Sequence, residues 1–108
     1  MKDDAVYLNH ILECIIKIQQ YTQGGKAAFL NSALIQDAVF RNFEVIGEAS
    51  KHISQQTKDR FLNIPWRRIA GFRDILIHNY LGIDPEEVWN IVERQLPNLK
   101  KDLESMQL

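Results

Sequence analysis

The chain has 108 residues, of which 45% are hydrophobic and 25% charged, so it should bury a hydrophobic core; this excludes a disordered chain and leaves little room for a second domain. Its net charge of -1 excludes a protein that binds nucleic acid through an overall basic surface, and no apolar run approaches the roughly 20 residues of a membrane-spanning helix. With one cysteine, Cys14, and no signal-peptide pattern, we expect a soluble, cytoplasmic protein with a single domain over residues 1–108.

The first predicted helix covers about residues 4–22. Its apolar residues recur on one helical face: Leu8, Ile11, Leu12, Ile15 and Ile18. Asp3 or Asp4 can cap its N-terminus, and Gly24 with Gly25 predicts a turn after its C-terminus. This part of the chain therefore predicts an amphipathic helix that ends in a turn.

The second predicted helix starts after Asn31 or Ser32, either of which is a good N-cap, and runs for about five turns. Its apolar face contains Ile35, Ala38, Val39, Ile46, Ala49 and Ile53. Glu48 interrupts this small and apolar stretch, and it could face a dimer cleft and hold a basic group. The next stretch, SQQTKDRFLNI, loses the periodicity, so we predict an ordered connection that folds back onto the helices.

The third predicted helix starts at Pro65, whose fixed φ suits a first helical position, and ends before Gly82. Residues 51–73, which lead into and through it, contain six basic residues and one acid, so a local anion-binding surface is possible there. Trp66 on this helix and Trp89 on the next lie within apolar patterns. We therefore expect both tryptophans in the core or an interface rather than stacked on bases.

The fourth predicted helix has the clearest start, because Asp84 can cap it, Pro85 fits its first position and Glu87 completes a capping box. Its apolar face contains Val88, Ile91, Val92, Leu96, Leu99 and Leu103. Pro97 removes one backbone donor and predicts a kink. Four helices with short connections predict an all-α fold, an antiparallel four-helix bundle.

The residues best suited to chemistry lie in the sequence RDILIHNY, near the end of the third predicted helix. Arg73 is a permanent cation with five donors and His78 titrates near neutral pH, a pair suited to phosphate chemistry. Five residues along an ideal helix separate them by roughly 140° around its axis, so they do not share a face. The long Arg side chain, a helix that loosens before Gly82, or a second protomer with its own copy across a two-fold axis could each bring them together. Of these we expect the last, a symmetric homodimer. The spacing alone also fits a surface arginine and a histidine that contacts late helix carbonyls.

Two long segments resemble the HepT-like branch of the HEPN superfamily: DAVFRNFEVIGEASKHIS and PWRRIAGFRDILIHNYLGIDPEEVWNIVERQLPNL. Arg73, Asp74 and His78 match the superfamily signature, an arginine followed by a polar residue and, a few positions later, a histidine. Tyr80 matches the tyrosine that the HepT branch adds two positions after the histidine. The resemblance implies a helical HEPN domain, usually dimeric, that acts as a metal-independent endoribonuclease on RNA.

The resemblance also implies a mechanism. The RNA 2′-hydroxyl attacks its neighbouring phosphate and leaves a 2′,3′-cyclic phosphate, while His78 moves a proton and Arg73 binds the charge on phosphorus. Asp74 could orient one of these groups. Asn79 is a weaker supporting candidate, because an Asn near a helix end is more often a local backbone partner.

A form of control is implied for Tyr80. HepT-like proteins are encoded beside a minimal nucleotidyltransferase, their antitoxin, which attaches AMP to this tyrosine and inactivates the RNase. Negative phosphate two residues from His78 would compete for Arg73 and fill the cleft. Without the family context, a half-buried packing tyrosine is the simpler interpretation.

Two other interpretations of the chain stay open. One is a non-catalytic HEPN module that binds a nucleotide or docks a nucleotidyltransferase, and the other is a purely structural dimerisation domain. Both Arg73 and His78 are present beside Tyr80, although a non-catalytic module could lose either residue. The enzyme is therefore the favoured interpretation.

We expect neither a metal site nor a cofactor. His10 and Cys14 are four residues apart on the first predicted helix, but two ligands fall far short of the usual four. His52 lacks partners in the sequence. The expected partners are RNA, the nucleotidyltransferase antitoxin and a second copy of the chain.

Overall fold

The computed structural model of the protein describes residues 2–77 and 82–106. In chain order its elements are α1 (Lys2–Tyr21), α2 (Lys26–Leu30), α3 (Ala33–Lys51), α4 (Gln55–Arg60), α5 (Trp66–Ile77), α6 (Pro85–Asn90), a π-helical turn (Ile91–Gln95) and α7 (Leu96–Glu104). Within these described ranges no residue lies in a β-strand. The predicted all-α fold is confirmed.

Four long helical units form the body of the molecule: α1, α3, α5 and the continuous unit made of α6, the π-helical turn and α7. The central helix is α3, which packs along both α1 and α5, while α7 packs against α1. These units are the four helices that the sequence predicts. None of the helices in the described part of the chain is both long and apolar enough to cross a membrane.

The core follows the apolar periodicity of the sequence. Its fully or almost fully buried side chains include Ile11, Ile15, Ile18, Val39, Phe43, Ile46, Ile69, Phe72, Leu96, Leu99 and Leu103. The Phe43 and Phe72 rings meet edge to face at 5.3 Å, and this contact joins α3 to α5. Trp89 is buried and Trp66 packs partly buried against the core, so the predicted apolar positions of both tryptophans are confirmed.

Two short helices lie where the sequence analysis placed a turn and a connection. Residues 26–30 form α2 because Phe29 inserts into the core, where its ring lies 5.6 Å from that of Trp89. Gly25 precedes α2 with a φ of 91°, a conformation that favours glycine. The α4 helix is capped by Ser54, whose hydroxyl accepts a hydrogen bond from the Thr57 N–H.

The prediction that Asp3 or Asp4 caps α1 is wrong, because both residues lie inside its first turn. Asp4 is almost fully buried and connects α1 to α4 instead. It accepts hydrogen bonds from the Ser54 N–H at 2.9 Å, from the Ser54 hydroxyl at 2.7 Å and from the Thr57 hydroxyl. Burial by itself raises the pKa of Asp4, but these hydrogen bonds outweigh burial and lower the pKa below its ordinary value.

The start of α6 agrees with its prediction in the N-cap Asp84 and in Pro85, but among the described residues no side-chain hydrogen bond joins Glu87 to Asp84, so the predicted capping box is not formed. The Asp84 carboxylate accepts a hydrogen bond from the Glu86 N–H at 3.0 Å, and Pro85 occupies the first turn. Near Pro97 the helix departs from α geometry in the π-helical turn Ile91–Gln95, which lies just before the proline. Because proline lacks the N–H that an α-helix would use here, the irregularity lies on its N-terminal side.

Candidate functional site

A cleft of about 540 Å³ opens between α1, α3 and the middle of α5. Its polar lining consists of Tyr7, His10, Arg41, Glu44, Glu48, His52 and Arg73. Two arginines, two carboxylates and two histidines thus face one space. This composition suits a charged or polar ligand better than an apolar one.

Arg73 is held at this cleft by an acidic residue of α3. Its Nε lies 3.2 Å from Oε2 of Glu48, and the two side chains are 35% and 54% exposed, respectively. Glu48 therefore holds a basic group, as the sequence analysis suggested. Asp74, the next residue in the signature, is exposed on α5.

His52 lies beside Glu48 and Tyr7, neighbours that the search for metal ligands in the sequence did not consider. Its Nε2 lies 3.7 Å from Oε1 of Glu48, and its ring stacks on Tyr7 with 5.0 Å between centroids and 16° between planes. The spacing of Glu48 and His52, four residues apart on one helix face, was the available signal. Tyr7 gave no such signal, because it reaches His52 only through the packing of α1 on α3.

Gly47 sets the separation of α3 and α5 at Arg73. Gly47 is buried, and a Cβ built on it would lie 2.7 Å from the Arg73 Cβ, 3.0 Å from the Arg73 backbone nitrogen and 3.3 Å from the Ala70 carbonyl oxygen. Real Cβ atoms do not come that close to other heavy atoms, so only glycine fits without movement. The role of Gly47 could not be predicted, because nothing in the sequence pairs position 47 with position 73.

The other signature residues, His78, Asn79 and Tyr80, lie outside the described residues. Their positions relative to Arg73 remain predictions, as does the homodimer that would bring two copies of the signature together. What is described is the first half of the signature, with Arg73 on α5 facing α3 and the cleft.

The predicted basic segment does not converge on this cleft. Of its six basic residues, only Arg73 contributes to the lining. Arg68 lines a separate cavity of about 330 Å³ between α5 and α7. The cationic character of the cleft therefore comes from Arg73 together with Arg41 of α3.

His10 and Cys14 do not form a shared site. His10 is exposed at the cleft, whereas Cys14 is buried in the core, and burial raises the pKa of its thiol. No group of three or more potential metal ligands occurs among the described residues.

Comparison with known proteins gives one consistent result. The family model described as "Ribonuclease HepT-like" matches residues 11–106. "Putative RNase MJ1380" of Methanocaldococcus jannaschii is 38% identical over 104 residues, which is 95% of each chain. "Probable ribonuclease HepT" of Thermococcus cleftensis is 41% identical over 101 residues, 93% of this chain and 92% of that protein.

A longer relative also matches. "Gamma-glutamylcyclotransferase and putative RNase MJ0434" of Methanocaldococcus jannaschii is 42% identical over 103 residues, which is 94% of this chain but only 46% of that protein. This chain therefore spans about half of that relative and nearly all of the other two. No solved structure matches the chain.

Proposed function

This chain belongs to the HepT-like ribonuclease family of the HEPN superfamily, and from that membership we propose that it is an endoribonuclease that cleaves RNA without a metal ion. The observation that carries the proposal is the family match over residues 11–106, within which the signature residues Arg73, Asp74, His78 and Tyr80 fall. The position of Arg73 at an open cleft supports it, since a phosphate-binding arginine must be reachable by the RNA backbone.

The proposed reaction is an internal transesterification. The 2′-oxygen of a ribose forms a bond to the adjacent phosphorus, the bond from phosphorus to the 5′-oxygen breaks, and a 2′,3′-cyclic phosphate and a free 5′-hydroxyl result. His78 takes the proton from the 2′-hydroxyl or supplies one to the leaving oxygen, a role that suits histidine because the ordinary pKa of an imidazole lies near neutrality. Arg73 pairs with the negative charge that grows on the phosphate oxygens.

The active unit in this proposal is a symmetric homodimer. The support is helical geometry, since Arg73 and His78 point roughly 140° apart on an ideal helix and two copies across a two-fold axis can complete each other's site. In this arrangement Asp74 orients one of the two reactive groups, and Asn79 donates a hydrogen bond to the RNA.

The proposed biological role is that of a toxin whose antitoxin is a minimal nucleotidyltransferase. Transfer of AMP to Tyr80 would place a phosphate beside Arg73 and His78 and block RNA binding. Intact-mass spectrometry after co-expression with the adjacent nucleotidyltransferase tests this role. One added adenylyl group, absent from Tyr80→Phe, is the expected result, and unmodified wild-type protein would contradict it.

The decisive test of the RNase is cleavage of RNA by the purified protein, free of any partner, in the presence of EDTA. His78→Ala and Arg73→Ala should each abolish the cyclic-phosphate products. Arg68→Ala is the matched control, because Arg68 lies on the same helix but outside the cleft. Cleavage that survives His78→Ala would refute the assignment, and a wild-type protein that binds RNA without cutting it would favour the non-catalytic HEPN module.

A further inference from the structure

Glu48 lies between two basic side chains at the cleft. Its Oε2 is 3.2 Å from Arg73 Nε, and its Oε1 is 3.7 Å from His52 Nε2. His52 in turn stacks on Tyr7 of α1. One carboxylate therefore links a side chain of α5 to a histidine that α1 holds in place.

The edge of the guanidinium that Glu48 contacts is informative. A carboxylate at Nε faces one side of the planar group, while the two terminal nitrogens form a second edge that can bind a phosphate through two parallel hydrogen bonds. An arginine can therefore bind Glu48 and a phosphate simultaneously. This ion pair restrains a side chain that is otherwise long and flexible.

The contribution of the Glu48–Arg73 ion pair to the stability of the fold does not explain this arrangement. Both partners are substantially exposed, at 54% and 35%, and exposed ion pairs contribute little to folding. The backbone nevertheless comes unusually close at this point, because Gly47, the residue before Glu48, lets α3 approach the backbone of Arg73. Two adjacent residues of α3 thus constrain the same arginine, one at its backbone and one at its guanidinium.

We propose that Glu48 is a positioning residue for the ribonuclease reaction, which holds the Arg73 guanidinium in the plane that binds the phosphate undergoing attack. This inference rests on the proposed function and extends it to a residue outside the signature. Glu48 itself touches neither RNA nor the reacting atoms. It acts through Arg73, and His52, which stacks on Tyr7, lies 3.7 Å from its second oxygen.

The proposal makes a prediction that simple electrostatics does not. Glu48→Gln removes one negative charge from the cleft, so electrostatics alone predicts tighter binding of RNA and no loss of rate. A positioning role predicts instead that kcat falls by about 10- to 100-fold, as for other small misplacements of a catalytic group, while RNA binding is not weakened.

The experiment compares Glu48→Gln with Glu44→Gln. Glu44 lies one turn earlier on α3, lines the same cleft and pairs with Arg41 at 3.3 Å, so its substitution removes the same charge without touching Arg73. Three quantities are measured: kcat and KM on RNA, the affinity for a 2′-O-methyl oligonucleotide that cannot be cleaved, and the melting temperature.

A fall in kcat confined to Glu48→Gln, with oligonucleotide affinity and melting temperature unchanged or higher, supports the proposal. A kcat equal to that of wild type overturns it, as does a fall in kcat that Glu44→Gln reproduces or that accompanies lower stability. If the wild-type protein cleaves no RNA, it is the proposed function that fails. The NMR signal of the Arg73 Nε–H, assigned by its loss in Arg73→Lys, then tests Glu48 separately: a shift specific to Glu48→Gln supports the contact, and no shift overturns it.

Discussion

Replacing Gly47 with alanine tests the close approach of α3 to α5 on which the geometry of Arg73 depends. The added Cβ would lie 2.7 Å from the Arg73 Cβ, whereas ordinary contacts fall at 3.4–4 Å, so the two helices must separate by several tenths of an ångström or more. Overpacking of this kind costs about 1–3 kcal/mol. Alanine also has a better helix propensity than glycine by about 1 kcal/mol, and this gain partly offsets the steric cost.

Gly71→Ala on α5 provides the control that separates these two effects. A Cβ at Gly71 would have no heavy atom within 4 Å, so this variant receives the propensity gain without the clash. The difference between the two variants is therefore the steric cost alone, about 1–3 kcal/mol. For a domain of this size that difference corresponds to a gap in melting temperature of at least about 4 °C.

The assay is thermal unfolding followed by circular dichroism. The melting temperature of Gly71→Ala should equal or exceed that of wild type, and the melting temperature of Gly47→Ala should be at least about 4 °C lower than that of Gly71→Ala. Gly47→Ala should also lower RNA cleavage, because the displaced α5 carries Arg73 away from Glu48. Equal melting temperatures for the two variants would refute the tight α3–α5 contact and, with it, the argument that glycine is required there.

Two further predictions concern buried titratable groups. Asp4→Asn should destabilise the protein by about 1–3 kcal/mol at pH 7 in urea unfolding, because the carboxylate accepts three hydrogen bonds from Ser54 and Thr57. Since the pKa of Asp4 is lowered by folding, the carboxylate stabilises the fold above its unfolded pKa near 3.8 and stops doing so as the pH falls through the lowered value. The difference in free energy of unfolding between wild type and Asp4→Asn should thus become smaller below about pH 4. A difference that stays constant with pH would contradict this account. Cys14, buried and with a raised pKa, should react with iodoacetamide at pH 8 far more slowly than it does in urea, and equal rates would disprove its burial.

The long helices were predictable because their apolar residues repeat with the helical period, as Ile11, Ile15 and Ile18 do in α1. The α2 and α4 helices were not, because each is too short to carry a periodic signal and depends on contacts with distant residues. The Phe29 ring of α2 packs against Trp89, and Ser54, which caps α4, donates hydrogen bonds to Asp4, 50 positions earlier. Local sequence cannot supply such information.

The candidate site, too, was predictable from the sequence only in part. Arg73 could be identified from its place in a family signature, and Glu48 from its odd position in an apolar stretch. Their direct pairing, and the requirement for glycine at Gly47, follow from the packing of two helices whose contacting residues are about 25 positions apart. Only three-dimensional structure reveals which acid meets which base.

The π-helical turn before Pro97 changes the register of the last helical unit. Residues in a π-helical turn rotate less about the helix axis than residues in an α-helix, so the five residues Ile91–Gln95 turn α7 back relative to α6. With this offset, α7 directs Leu96, Leu99 and Leu103 into the core.

The turn is thus the local equivalent of one inserted residue. Removing one exposed position, such as Arg94, would let this segment return to a regular α-helix while α7 keeps nearly the same orientation. Adding another residue would instead rotate the apolar side of α7 towards water. The last helix should therefore tolerate a deletion at this point far better than an insertion.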